Sequence, residues 1–123
     1  MYFRLRIAAV LAVLAAPSFA AAQDAGRRVY SPAQYLKNFA LSACIAEGYG
    51  AEEVKRDGNA AAGGYLELGR FPMAAYEEAA ALGKTFLARS YRGKHGETLT
   101  LMKCIDLFHS AELERVVRKY AGK

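Results

Sequence analysis

Tyr35-Leu36-Lys37-Asn38-Phe39-Ala40-Leu41-Ser42-Ala43-Cys44-Ile45-Ala46 is the stretch whose reading decides the fold. Leu36, Phe39, Ala40, Ala43 and Cys44 recur at i, i+3, i+4, i+7 and i+8, which places them on one face of a helix. Leu41 and Ile45 add a second apolar stripe on the other side, so little of this helix is left for water. A helix that is apolar nearly all round is central to a core, or shared between a core and an interface. Its start is well marked. Ser31 suits the cap, Pro32 the first helical position, and Gln34 completes a capping box. Tyr30 and Tyr35 stand where a hydrophobic staple closes over that cap, and Gly48 is a natural stop.

Upstream of this helix the chain reads differently. Residues 1–22 carry a basic start (Arg4, Arg6), an apolar run over 7–16, and small residues at Ser18-Phe19-Ala20 or Ala20-Ala21-Ala22 suited to cleavage. That is the plan of a secretory signal peptide. A membrane anchor is the competing reading, but a spanning helix needs about 20 apolar residues. Residues 23–30 form a short polar lead, and 31–123 are left for one small helical domain, as a chain of 123 residues allows. The full chain has 17 Lys and Arg against 12 Asp and Glu, and two of the basic residues leave with the leader. The remaining charges are interspersed, without a basic run or aromatic–basic alternation, which argues against nucleic-acid binding. No other segment is long and apolar enough to cross a membrane.

Downstream, residues 51–57 read as a short helix with Glu52 and Glu53 in its first turn. Gly58-Asn59 interrupts it, and residues 60–68 resume, weakened by Gly63-Gly64, a pair that could also admit another helix. Pro72 opens a clearer helix, on which Tyr76, Ala79, Ala80, Gly83, Phe86, Leu87 and Ser90 repeat at helical spacing. Tyr91-Arg92-Gly93-Lys94-His95-Gly96-Glu97 then reads as a loop. Leu101, Cys104, Ile105 and Phe108 give the next buried stripe, opposite Lys103 and Asp106. Ser110 caps a last helix, with Leu113, Val116, Val117 and Tyr120 inward. With no sustained strand alternation, the reading is an all-α bundle of about five helices. Cys44 and Cys104, the only two cysteines, both lie on apolar helical faces of an exported chain. A disulfide between them is expected; two buried thiols are the other reading.

Chemistry is sparse. A cysteine nucleophile with His95 or His109 as base is disfavoured, because a thiolate on an apolar face is costly. His95 with Glu97, and His109 with Glu112, lack a third metal ligand at convincing spacing. Glu52-Glu53 and Glu77-Glu78 are sequence neighbours and diverge on a helix, so they make poor paired carboxylates. Gly63-Gly64 lacks the lysine and the preceding strand of a phosphate loop. No cofactor is implied. The inventory is that of a binding protein.

Three ordered segments carry a more specific signal. They are Tyr35 through Ser42 with Cys44-Ile45-Ala46; Gly63-Gly64-Tyr65-Leu66-Glu67; and Met102-Lys103-Cys104-Ile105-Asp106 with Ser110 and Glu112-Leu113. Together they resemble the periplasmic immunity proteins that neutralise the fourth class of type VI secretion amidase effectors. The resemblance implies an all-α periplasmic protein, often a homodimer, that binds a papain-like cysteine amidase of peptidoglycan and blocks its cleft. Cys44, Cys104, Tyr65 and Asp106 match the family's motif positions and look architectural. An exported helical protein for another partner, such as an envelope-stress factor, is the alternative. Candidate partner-binding residues are Tyr91, Arg92, Lys94, His95 and Glu97, since the loop they occupy carries polar donors and an aromatic that no core needs. Leu41 and Ile45 are the candidates for a dimer interface.

Overall fold

The computed structural model describes residues 29–122, so the expected signal peptide and most of the 23–30 lead lie outside the described residues. Among the described residues there are five helices and no strand: α1 (Pro32–Gly48), α2 (Glu52–Leu68), α3 (Met73–Leu87), α4 (Thr100–Phe108) and α5 (Ala111–Tyr120). None is long and apolar enough to cross a membrane.

α1 is the hub, in contact with all four other helices. Its cap forms as the sequence requires. Ser31 Oγ accepts from the Gln34 amide at 3.2 Å, and Gln34 Oε1 accepts from the Ser31 amide at 2.9 Å. The Tyr30 and Tyr35 rings meet edge to face at 5.6 Å over that cap, with the Tyr65 ring of α2 beside them. From Tyr35 to Ala46 no residue is exposed. Leu36, Ala40 and Cys44 enter the core, while Phe39, Leu41 and Ile45 pack against it half-buried. Tyr76 of α3 closes the top of that core, its ring edge-on to Phe39 at 5.1 Å. The core is completed by Ala75, Ala79 and Phe86 of α3, Cys104 and Leu107 of α4, and Leu113, Val117 and Tyr120 of α5. Ser110 caps α5, its Oγ accepting from the Leu113 amide at 3.1 Å.

The Cys44–Cys104 disulfide joins α1 to α4, with the two Cα atoms 5.6 Å apart. Both cysteines are buried. The expected pairing is therefore present, and neither sulfur is available as a nucleophile.

Ser90, read as part of the α3 repeat, lies exposed beyond the end of that helix at Leu87, and two larger details differ from the sequence reading. The break expected at Gly58-Asn59 is absent, and α2 runs unbroken through it. Gly58 is instead the point where α2 meets α1. A Cβ there would stand 2.9 Å from the Ala46 Cβ and 3.1 Å from both the Ala46 amide nitrogen and the Ser42 carbonyl oxygen. Gly63 and Gly64, the expected site of close approach, have nothing within 4 Å of where a Cβ would lie.

The second difference concerns α4. Leu101 and Ile105 were expected inside with Cys104, but both are exposed, as is Met102, and Lys103 is buried with Cys104 and Leu107. Thr100, Lys103, Cys104 and Leu107 satisfy the same i, i+3, i+4, i+7 rule, and a lysine stem is apolar. The charged end settles the choice: Lys103 Nζ donates to the Leu87 carbonyl at 3.1 Å, at the C-terminus of α3. Lys55 of α2 does the same for α1, donating to the Ala46 carbonyl at 3.2 Å. A cation is favoured at a helix C-terminus, where the carbonyls lack intrahelical partners.

Candidate partner-binding site

Residues 88–99, between α3 and α4, form the longest connection among the described residues. Local chemistry folds its tip. The Gly93 amide donates to the Glu97 carbonyl at 3.3 Å, and the Gly96 amide to the Gly93 carbonyl at 3.3 Å. The Glu97 carboxylate turns back and accepts from the His95 amide at 3.0 Å. Gly96 takes a φ of +83°, where glycine is unstrained. At Gly93 a Cβ would collide with the Glu97 carboxylate, so that carboxylate lies directly on the glycine.

The base of the loop is tied to α4. Tyr91 Oη donates to Asp106 Oδ2 at 2.5 Å, and Lys103 Nζ stands 5.8 Å from the centre of the Tyr91 ring. The hydrogen bond to Asp106 raises the Tyr91 phenol above its ordinary pKa, with burial and the Asp106 charge adding to it and Arg89 opposing it. At the far end Leu99, which precedes α4, adopts the left-handed conformation at φ 54°, and no side chain caps the helix. A non-glycine residue there costs about 1–2 kcal/mol, so tertiary contacts must hold this corner.

The five candidate residues thus divide into two groups. Arg92, Lys94 and His95 are exposed on the loop. Tyr91 is half-buried and engaged by Asp106, and Glu97, though exposed, holds the turn together. Leu101, Met102 and Ile105, at 48%, 51% and 42% exposure, form an apolar patch on the outer side of α4. Sequence reasoning missed this patch because it had placed Leu101 and Ile105 inside. A shallow groove lined by Tyr49, Leu99, Leu101 and Met102 connects it with Glu97 and Thr98 of the loop. Leu41 and Ile45 are half-covered by their own chain. His109 is exposed at the end of α4, its ring against Phe108. Among the described residues no three His, Cys, Asp or Glu side chains gather to hold a metal.

A small bundle that ties both of its thiols into one bond and turns a folded polar loop outward is built as a binding module. Residues 34–117 match the family described as type VI secretion system (T6SS) amidase immunity protein, Tai4. That match spans most of the chain, and the chain belongs to this family, whose members inhibit and do not catalyse. Among solved structures, it is similar to the effector–immunity system Tae4/Tai4 from Salmonella typhimurium, with 37% identity over 73% of this chain and 89% of that one and a TM-score of 0.69. The Tae4–Tai4 effector–immunity complex from Enterobacter cloacae aligns at 22% identity over 72% of this chain and 90% of that one, TM-score 0.66. A complex of Salmonella typhimurium Tae4 with Enterobacter cloacae Tai4 aligns at 22% over 71% and 90%, TM-score 0.65. The last two speak for the fold alone. No curated protein matches the chain.

Proposed function

We propose that this protein is a periplasmic immunity protein that binds a cognate type VI secretion peptidoglycan amidase and occludes its active-site cleft with the 88–99 loop. The observation that carries the reading is the family match over residues 34–117, together with 37% identity to a chain of a solved effector–immunity system. The loop is the natural inhibitory element. A packed helical bundle protrudes at its connections, and this connection exceeds the others in length and in exposed polar side chains. Arg92, Lys94 and His95 supply donors for the cleft, and Leu101, Met102 and Ile105 supply apolar area beside it. The periplasm agrees with the family and with the leader expected at residues 1–22.

A homodimer also follows from the family reading, with the uncovered parts of Leu41 and Ile45 as its contact. Light scattering at micromolar concentration is expected to give twice the chain mass; a monomer there removes the dimer from the proposal without touching the inhibitor.

Co-purification with a type VI secretion amidase from the same organism, followed by inhibition of that enzyme on peptidoglycan, tests the function. No complex with that amidase would favour an exported helical protein with another partner. Replacing Arg92, Lys94 and His95 together by alanine is expected to weaken inhibition by well over tenfold, since hot-spot truncations cost about 2 kcal/mol or more. A triple variant that inhibits at wild-type concentration would move the contact to another surface.

A further inference from the structure

The orientation of α4 looks uneconomical on its own: it buries a lysine and leaves Leu101, Met102 and Ile105 in water. The loop supplies the reason. With Lys103 inside, its ammonium reaches both the Leu87 carbonyl, where α3 ends, and the face of Tyr91. Asp106, three residues further along the same side of α4, then meets the Tyr91 hydroxyl. Rotating α4 to bury Leu101 and Ile105 would remove both holds at once. Holding them matters because ordering a free loop costs conformational entropy, and a partner must supply that unless the protein has already done so.

We infer that Asp106 is a positioning residue for the inhibitory loop: by accepting the Tyr91 hydroxyl it fixes the loop's base on α4, so that Arg92, Lys94 and His95 are presented in one arrangement before the amidase arrives. Glu97 performs the matching task at the tip, where its carboxylate closes the turn over Gly93 and the His95 amide. Neither carboxylate needs to touch the partner. The inference rests on the loop reading proposed above and assigns to two acidic residues an effect on affinity through Tyr91 and the loop backbone.

A double-mutant cycle tests it. Tyr91→Phe keeps the ring and removes the hydroxyl, and Asp106→Ala removes the acceptor, while Asp106→Asn keeps an acceptor oxygen. Tyr91→Phe and Asp106→Ala are each expected to weaken amidase binding about tenfold, the scale of a hydrogen bond to a charged group. The double variant should be no worse than either alone, and Asp106→Asn should recover most of the loss. Amide exchange over residues 92–97 of the free inhibitor should accelerate in both single variants, while the urea midpoint of the bundle stays put. Additive losses in the double variant would show that Asp106 contacts the partner itself and would overturn the inference. So would wild-type binding, or unchanged loop exchange, in the two single variants. The Arg92, Lys94 and His95 triple variant separates the two levels. If it keeps full affinity, the loop reading fails; if it loses affinity while Tyr91→Phe and Asp106→Ala do not, only the positioning role fails.

Discussion

α1 and α4 each supply one sulfur of the Cys44–Cys104 bond, and they reach it by different routes. α1 runs from Pro32 to Gly48 behind a complete capping box, and its middle has no exposed residue. α4 runs only from Thr100 to Phe108, follows a left-handed Leu99, has no side-chain cap, and exposes Leu101, Met102 and Ile105. A helix this short is marginal by itself, since isolated helices under about 12–15 residues barely form in water. α1 carries its own start signal and is then at least half-covered from Tyr35 to Ala46. α4 is held from outside, by a covalent bond and by Lys103 on α3. One helix organises the core, and the other has been fastened to it to carry a loop.

The largest expected effect comes from cutting that fastening. Replacing Cys44 and Cys104 together by alanine should destabilise the bundle by about 2–5 kcal/mol in urea unfolding. Amide exchange should then rise first in α4 and stay slow in α1. If both helices lose protection together, α4 depends on the bond no more than α1 does. Gly58→Ala probes α1 from its other side. It adds a good helix former yet forces a methyl against Ala46 and the Ser42 carbonyl, so a net loss of about 1–3 kcal/mol is expected in the thermal midpoint. Lys103→Met keeps the stem and deletes the ammonium, and should cost about 1.5 kcal/mol by leaving the Leu87 carbonyl without its charged donor. Ser31→Ala should cost about 1 kcal/mol, lost from the start of α1. Gly64→Ala, with open space above it, should stabilise by about 0.5–1 kcal/mol. A matching gain at Gly58 would mean that α1 and α2 are not in close contact there.

The same contrast explains what could be read in the sequence. Everything about α1 is local: cap, staple, periodicity and stop lie within twenty residues or so and announce one another. The disulfide was legible because the chain reads as exported and has two cysteines, and both do lie on the inner side of their helices. α4 was turned the wrong way because apolar counting scores Lys103 as polar, whereas its stem packs inside and its charge finds the end of α3. Propensity alone makes Gly58 a break, and only the approach of α1 shows it to be a contact. The Tyr91–Asp106 pair spans fifteen positions and leaves no local pattern. The loop was recognisable by its glycines and charges, but not which of its side chains face outward and which hold it shut.

The disulfide also divides the chain mechanically. Cys44 and Cys104 lie 60 positions apart, and everything between them forms a closed covalent ring: the end of α1, all of α2 and α3, the loop and the start of α4. A force pulling on the two chain ends passes from α1 to α4 through the sulfur–sulfur bond and bypasses that ring. Among the described helices, the first part of α1, the end of α4 and α5 would bear tension, and stretching could draw out no more chain than lies outside the ring. The proposed inhibitory loop sits on the slack side of this shortcut, where traction on the termini reaches it only through the packing of its neighbours.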